Sequence, residues 1–315
     1  MKILVTPTSF KPGTNSPALE RLQSFADTLV FNPQTRPLTE DELIPLLEGC
    51  DGCVAGLDSF TRRVIENAHG LKVISRYGIG VDNVDLAAAK DMKVTVCNTP
   101  GANAQAVADL TLALMLCTAR KITTLDRKTR EGQWPRSTGT ELYGKTAGLL
   151  GLGAVGKAVA KRAQGFSMKV MAYDPFIDAE YARDNCIVPT TFDHVISDAD
   201  YICLHLPLNA DTRHIINAEA MAKMKRWVII VNTARGGLLD EKAALELLKS
   251  GHLGGLGLDV CEKEPPGDDP LFGLDNVVVT PHTAAHTAEA TAAMATRAVE
   301  NLIEVLSGND CPYIV

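Results

Sequence analysis

Three residues of complementary chemistry stand just beyond short apolar runs in the second half of this 315-residue chain. Arg235 follows Trp227–Val231 in the segment Asn232-Thr233-Ala234-Arg235-Gly236-Gly237. Glu264 follows a run that ends at Asp259, and His282 follows Val277–Thr280. One such residue would carry nothing, because an arginine after a strand is ordinarily a solvated loop charge. Together the three supply a cation for a carboxylate, a proton donor for a carbonyl oxygen and a carboxylate to tune that donor. The set suits hydride transfer to a 2-keto acid, provided something upstream can hold a hydride carrier.

Gly151-Leu152-Gly153-Ala154-Val155-Gly156 meets that condition. Alone, G-x-G-x-x-G is weak. Here it follows the apolar run Ala147–Leu150 directly, opens the helical stretch Lys157–Gln164 and precedes a second strand, Met168–Tyr173, ending at Asp174. That acid lies 23 residues after Gly151, near the spacing of a dinucleotide-binding fingerprint. Gly151 permits the tight turn, Gly153 lets the backbone approach a pyrophosphate, and Gly156 lets helix pack on strand. Asp174 would accept hydrogen bonds from the adenosine ribose and repel a 2′-phosphate. Pro175 and Phe176 offer that phosphate no cation, so NAD is expected rather than NADP.

Other motifs fail on context. Gly139-Thr140-Glu141-Leu142-Tyr143-Gly144-Lys145-Thr146 matches the P-loop pattern, but polar residues precede it and a strand follows, the reverse of what phosphate binding needs. Cys50 and Cys53 have redox spacing, yet Cys53-Val54-Ala55 reads as a strand entering a core. His282 and His286 are four apart without a third ligand in suitable spacing, so no metal is expected.

The elements that must position these residues alternate between strand and helix, which gives an α/β fold with a mostly parallel sheet. Strands buried on both faces read as continuous apolar runs. Such runs occur at Ile3–Val5, Cys53–Ala55, Leu71–Ser75 and Val94–Cys97, and again at Ala147–Leu150, Lys169–Ala172, Tyr201–Leu206, Trp227–Val231, Gly255–Leu258 and Val277–Val279. Helices are expected over Asn103–Arg120 and Asp240–Lys249, and a long Ala-rich helix should run to about Ser307. Domain boundaries fall near Asn98-Thr99-Pro100-Gly101 and Pro281–Thr287, giving residues 1–98 with 287–315 as one discontinuous domain and 99–286 as the other. Glu131-Gly132-Gln133-Trp134-Pro135 reads as an excursion that could meet a partner subunit. A net charge of −7 argues against nucleic-acid or anionic-membrane binding, and no apolar run is long enough to span a bilayer. Eight scattered cysteines and an N-terminus that reads as a strand point to a cytoplasmic protein with reduced thiols.

These segments, taken with Arg76-Tyr77-Gly78-Ile79-Gly80-Val81-Asp82-Asn83-Val84-Asp85 and His205-Leu206-Pro207-Leu208, resemble the D-2-hydroxyacid dehydrogenase family over essentially the whole chain. The phosphoglycerate dehydrogenase-like branch, which acts in serine biosynthesis, is the nearest match. The resemblance implies two doubly wound parallel-sheet domains, a Rossmann NAD-binding domain and a discontinuous flavodoxin-like substrate domain, with a cleft that closes by hinge motion. It implies Arg235 as the carboxylate clamp, His282 as acid and base, and Glu264 as the partner that favours the charged imidazole. It places NAD against Gly151, Gly153, Ala154, Val155, Gly156, Asp174, His205, Pro207, Thr212, Thr233, Ala234 and Asp259. Substrate would meet Arg76, Ile79, Gly80, Arg235 and His282, and the usual assembly is a homodimer with Trp134 in its arm.

The departures concern the substrate. Phosphoglycerate dehydrogenases often carry an arginine near Val54 that reaches the phosphate, whereas Ala55-Gly56-Leu57-Asp58 has no cation and one acid, leaving Arg62, Arg63, Arg76 or the partner subunit's Arg136 to substitute. A glyoxylate/hydroxypyruvate reductase is therefore the alternative enzyme, and a corepressor-like NAD-sensing scaffold the alternative of another class. Ending at Val315, the chain is not expected to show serine feedback through a C-terminal domain.

Overall fold

The computed structural model describes residues 1–13 and 16–315 and divides into two compact units, Met1–Asn103 with His286–Val315, and Ala104–Ala285. The first is built on five parallel strands: β1 (Lys2–Val5), β2 (Thr28–Phe31), β3 (Gly52–Ala55), β4 (Val73–Arg76) and β5 (Thr95–Cys97). Their order is β2-β1-β3-β4-β5. The last helix, Ala288–Leu306, belongs to this unit and covers β3 and β4, and Ala298, Val299 and Leu302 join its core. Beyond that helix, Ile314 bridges Cys97 in antiparallel fashion, and the buried Cys97 and Cys311 thiols meet at 3.7 Å.

The second unit has seven parallel strands: β6 (Thr146–Leu150), β7 (Lys169–Tyr173), β8 (Ile187–Pro189), β9 (Tyr201–Leu204), β10 (Ile229–Asn232), β11 (Gly255–Leu258) and β12 (Val277–Val279). Their order, β12-β11-β10-β9-β6-β7-β8, reverses direction between β6 and β9. In open α/β sheets ligands sit outside the carboxyl ends of the strands at such a reversal. The central strands β9, β10 and β11 are buried along their whole length, as their unbroken apolar runs require. Gly255 and Gly257 lie under Thr118 and Leu114 of the helix Ala104–Arg120, where a Cβ would come within 2.5 and 2.9 Å of those side chains. Helix starts are capped from side chains: Asp240 accepts from the Ala243 amide and Thr287 from the Ala290 amide.

Three expectations about strands need correction. β2 and β8 are additional strands at sheet edges, carried by the short apolar runs Leu29-Val30-Phe31 and Ile187-Val188. Trp227 does not begin a strand; its φ of 70° is left-handed, its side chain is 64% exposed, and pairing starts at Ile229. β9 stops at Leu204, before His205 and Leu206. No helix among the described residues is long and apolar enough to cross a membrane.

Candidate active site

Arg235, Glu264 and His282 stand beyond the carboxyl ends of β10, β11 and β12, three strands adjacent in one sheet. Neighbouring strands lie about 4.8 Å apart, so the sheet itself spaces the three segments that carry these side chains.

The Arg235 turn is set by Asn232, the last residue of β10, which is fully buried. Its side-chain amide donates to the Arg235 carbonyl at 2.8 Å, and its oxygen accepts from the Ala234 amide at 3.1 Å. A buried amide side chain must find such partners, and here it finds them across the turn it starts. Arg235 is half-buried and donates to the Ala234 carbonyl at 2.7 Å. The Thr233 and Thr111 hydroxyls meet at 2.9 Å.

Asp259 organises the segment that carries His282. Its buried carboxylate accepts from the Thr280 hydroxyl at 2.6 Å and from the amides of Thr283 and Ala284, each at 2.9 Å. Its carbonyl accepts from the His282 amide at 2.8 Å. His282 adopts a left-handed φ of 53°, which is uncommon for a residue with a side chain. Its Nδ1 lies 2.8 Å from Glu264 Oε2, and Glu264 Oε1 accepts from the Cys261 amide at 3.0 Å. Burial raises the Glu264 carboxyl, but the bond and charge of His282, the Cys261 amide and the Arg235 charge together hold it below the ordinary carboxylate range. Glu264 is thus an anion that fixes Nδ1–H and leaves Nε2 as the ring nitrogen able to exchange a proton.

At the β6/β9 reversal the dinucleotide loop has the form expected of it. Gly151 has a φ of 103°, and a Cβ there would lie 2.7 Å from the His205 carbonyl. A Cβ on Gly156 would lie 2.2 Å from the Gly151 oxygen, so helix meets strand with no room for a side chain. Gly153 caps the helix Ala154–Gly165, which includes Val155, and has open space where a Cβ would point, as backbone approach by a ligand requires. Asp174, just beyond β7, is oriented by two amides, Leu152 at 2.8 Å and Phe176 at 2.9 Å. The ring of His205 has a buried Nε2 without a partner, and burial pushes its pKa down to about 4, so it is neutral. Thr212 donates to the Pro207 carbonyl at 2.6 Å. An open glycine, an oriented acid and an unsatisfied buried ring nitrogen fit a dinucleotide.

The remaining expected substrate residues belong to the first unit. Arg76 is 2% exposed. It donates to the carbonyls of Ala55 at 2.7 Å, Gly80 at 2.9 Å and Gly56. The Ile79 carbonyl accepts from the Asn98 side chain at 2.9 Å, and the Gly78 carbonyl accepts from the Thr99 amide at 3.0 Å. With all three carbonyls of the Gly78–Gly80 turn engaged, the turn's amide N–H groups are what it can offer a ligand. Asp58 is buried and accepts from the Leu38 amide at 2.7 Å and from the Thr6 hydroxyl.

Sequence reasoning missed the positioning residues Asn232, Gly236 and Thr280. Asn232 gave the one available signal, a polar residue closing an apolar strand. The P-loop match leads through a turn at Gly144 straight into β6, and Cys53 lies buried in β3.

Residues 112–284 match the family profile described as D-isomer specific 2-hydroxyacid dehydrogenase, NAD binding domain. The chain is 46% identical over 275 residues to a hydroxypyruvate reductase of Thermotoga maritima, covering 85% of this chain and 89% of that protein. It is 46% identical over 282 residues to a D-3-phosphoglycerate dehydrogenase of Methanocaldococcus jannaschii, covering 88% of this chain but only 54% of that protein's length. The crystal structure of a glyoxylate reductase from Paecilomyes thermophila superposes with a TM-score of 0.88 at 29% identity, over 100% of this chain and 98% of that one.

Proposed function

The chain belongs to the D-isomer specific 2-hydroxyacid dehydrogenases, a family of NAD-binding oxidoreductases, and we propose that it interconverts a small 2-hydroxy acid and its 2-keto acid, reducing an unphosphorylated substrate such as hydroxypyruvate or glyoxylate. The observation that carries this reading is the Glu264–His282 pair at 2.8 Å, on strands adjacent to the one that carries Arg235.

Arg235 binds the substrate carboxylate, a pairing for which a guanidinium is suited by geometry and permanent charge. His282 carries a proton on Nε2 and delivers it to the carbonyl oxygen as the C2–O double bond becomes a single bond. When bound, NADH would supply the hydride that turns C2 into the alcohol carbon. In the oxidative direction the neutral imidazole takes the hydroxyl proton back. Glu264 stays anionic throughout and stabilises the imidazolium. NAD would be held by the loop Gly151–Gly156 and by Asp174, His205, Pro207, Thr212, Thr233, Ala234 and Asp259, with Asp174 accepting from the ribose hydroxyls. Ile79 and Gly80 are the first unit's proposed substrate residues, offering amide N–H groups from a turn that Arg76 supports.

The rival substrate is 3-phosphoglycerate, which would place the enzyme in serine biosynthesis. A phosphate dianion needs cations. β3 instead exits through Ala55 and Gly56 to the buried carboxylate of Asp58, and the nearby Arg76 guanidinium is engaged with three carbonyls. The relatives named for unphosphorylated acids also match this chain over most of their length. The test is NADH oxidation with hydroxypyruvate, glyoxylate, pyruvate and 3-phosphohydroxypyruvate, and with NADPH alongside. A kcat/KM at least about tenfold higher for the phosphorylated acid, a preference of about 1.4 kcal/mol, would reverse the substrate assignment. No turnover of any keto acid would overturn the enzyme reading itself.

We further propose a cytoplasmic homodimer. All eight cysteines are free, as a reducing compartment allows. The excursion after Arg130 leaves Trp134 84% exposed, which suits a partner contact.

A further inference from the structure

Glu241 and Glu262 hold each other reciprocally. The Glu262 amide donates to Glu241 Oε1 at 2.8 Å, and the Glu241 amide donates to Glu262 Oε1 at 3.1 Å. Glu241 opens the helix Glu241–Lys249, so its amide is one that a helix start leaves without an intrahelical partner. Glu262 lies two residues before Glu264, which is itself tied back to the Cys261 amide. On the other side, Gly236 packs flat against the Cys261–Glu262 peptide. The segment that carries Glu264 is therefore fixed between the start of a helix and the Arg235 turn.

We propose that Glu241 is a positioning residue for the acid–base pair: its clasp with Glu262 fixes the segment that carries Glu264 and so keeps Glu264 against His282. The inference rests on the reading of His282 as the acid and base.

The groups around Glu241 are Glu262, Glu264 and Cys261 from the segment after β11, and Asp269 at the start of the short turn Pro270–Gly273. His214 approaches through Glu262, with its Nε2 at 3.2 Å from Oε1. Burial, aided by the charges of Glu262, Asp269 and Glu264 and opposed by the Glu262 amide, pushes the Glu241 carboxyl up to about 7. Burial, aided by the charges of Glu241, Glu264, Asp259 and Asp269, pushes the Cys261 thiol up to about 12, so no thiolate competes.

Glu241→Gln keeps a carbonyl acceptor for the Glu262 amide and removes the charge, whereas Glu241→Ala removes both. Kinetics against pH are measured with hydroxypyruvate and NADH, and the His282 Cε1–H resonance, identified by its loss in His282→Asn, is titrated by NMR without substrate. Glu241→Ala is expected to lose about tenfold in kcat, a fraction of what a 1 Å misplacement costs, with KM little changed. Glu241→Gln should recover kcat, the reductive limb and the His282 titration to near wild type, whereas in Glu241→Ala the limb and the titration both move to lower pH as Glu264 shifts away from the ring. Wild-type kcat and pH profile in Glu241→Ala would overturn the proposal, as would a lowered melting temperature with unchanged kinetics. Should Glu241→Ala fail to fold, Glu241→Ser, whose short side chain cannot reach the Glu262 amide, takes its place, and an unmoved His282 titration there overturns the proposal alone. The NMR titration needs no turnover, so an inactive wild type would refute the enzyme reading without deciding this one.

Discussion

Replacing Gly236 by alanine tests whether the spacing of the Arg235 and Glu264 segments matters as argued. A Cβ at this position would lie 2.0 Å from the Cys261 carbonyl carbon, 2.1 Å from its oxygen and 2.4 Å from the Glu262 nitrogen. Ordinary contact begins near 3.4 Å, and all three atoms are backbone, so no side chain can swing aside. The two segments must part by more than about 1 Å, a displacement that costs roughly 10²-fold when it falls between reacting groups. Forcing atoms into a filled site also costs about 1–3 kcal/mol. For a unit of this size that lowers Tm by roughly 2–4 °C per kcal/mol. The assay is steady-state NADH oxidation well below the melting midpoint, with hydroxypyruvate varied. Gly165→Ala serves as the control, because a Cβ there meets nothing within 4 Å. We expect kcat to fall about 10²-fold through the displaced Glu264–His282 pair and KM to rise through Arg235. A Gly236→Ala enzyme with wild-type kcat/KM would refute the claim that these segments act as one unit.

Three further outcomes follow from the site. His282→Asn should lower kcat by about 10²-fold or more with little loss of Tm, since asparagine tolerates the left-handed backbone; normal turnover would remove His282 as the acid. In Glu264→Gln the imidazolium loses its anion, so the pH at which reduction fails should move down by about one unit, measured as kcat/KM against pH. Because the Glu264 carboxyl is held below its ordinary value, its contribution to stability is present above the unfolded carboxylate pKa and lost as pH falls through the lowered one. Asp174→Ser removes the charge that repels a 2′-phosphate and should shift the NADPH-to-NADH ratio of kcat/KM by about tenfold toward NADPH; an unchanged ratio would mean that Asp174 does not face the ribose.

The proposed catalytic residues can be read from the sequence because each is a charged or titratable residue shortly after the end of an apolar run. The glycine motif was legible for the same reason, since order along the chain distinguished it from the P-loop match at Gly139–Thr146. What escaped was whatever depends on neighbours distant in sequence. Thr28–Phe31 and Ile187–Pro189 are edge strands, defined by their pairing with β1 and β7 rather than by burial along their whole length. Trp227 looked like the start of a strand because it precedes Val228 and Ile229, but its amide bonds to the His252 carbonyl and its backbone turns left-handed. Arg76 showed its charge, but not that the carbonyls of Ala55, Gly56 and Gly80 would surround it. The Glu241–Glu262 clasp spans 21 residues, and nothing local in either glutamate marks it.

The left-handed backbone of His282 sets what the fold prefers at that position against what the chemistry requires. The conformation costs a side-chain-bearing residue about 1–2 kcal/mol. The bonds from its amide to the Asp259 and Thr280 carbonyls hold it there. Glycine would relieve the cost and asparagine would bear it easily, so the best-folded protein is not the one with histidine at 282. A population of variants sorted on cellular abundance would drift away from histidine, whereas one sorted on turnover would keep it. Stabilising this protein by choosing each residue for its own backbone conformation would therefore remove the proposed proton donor.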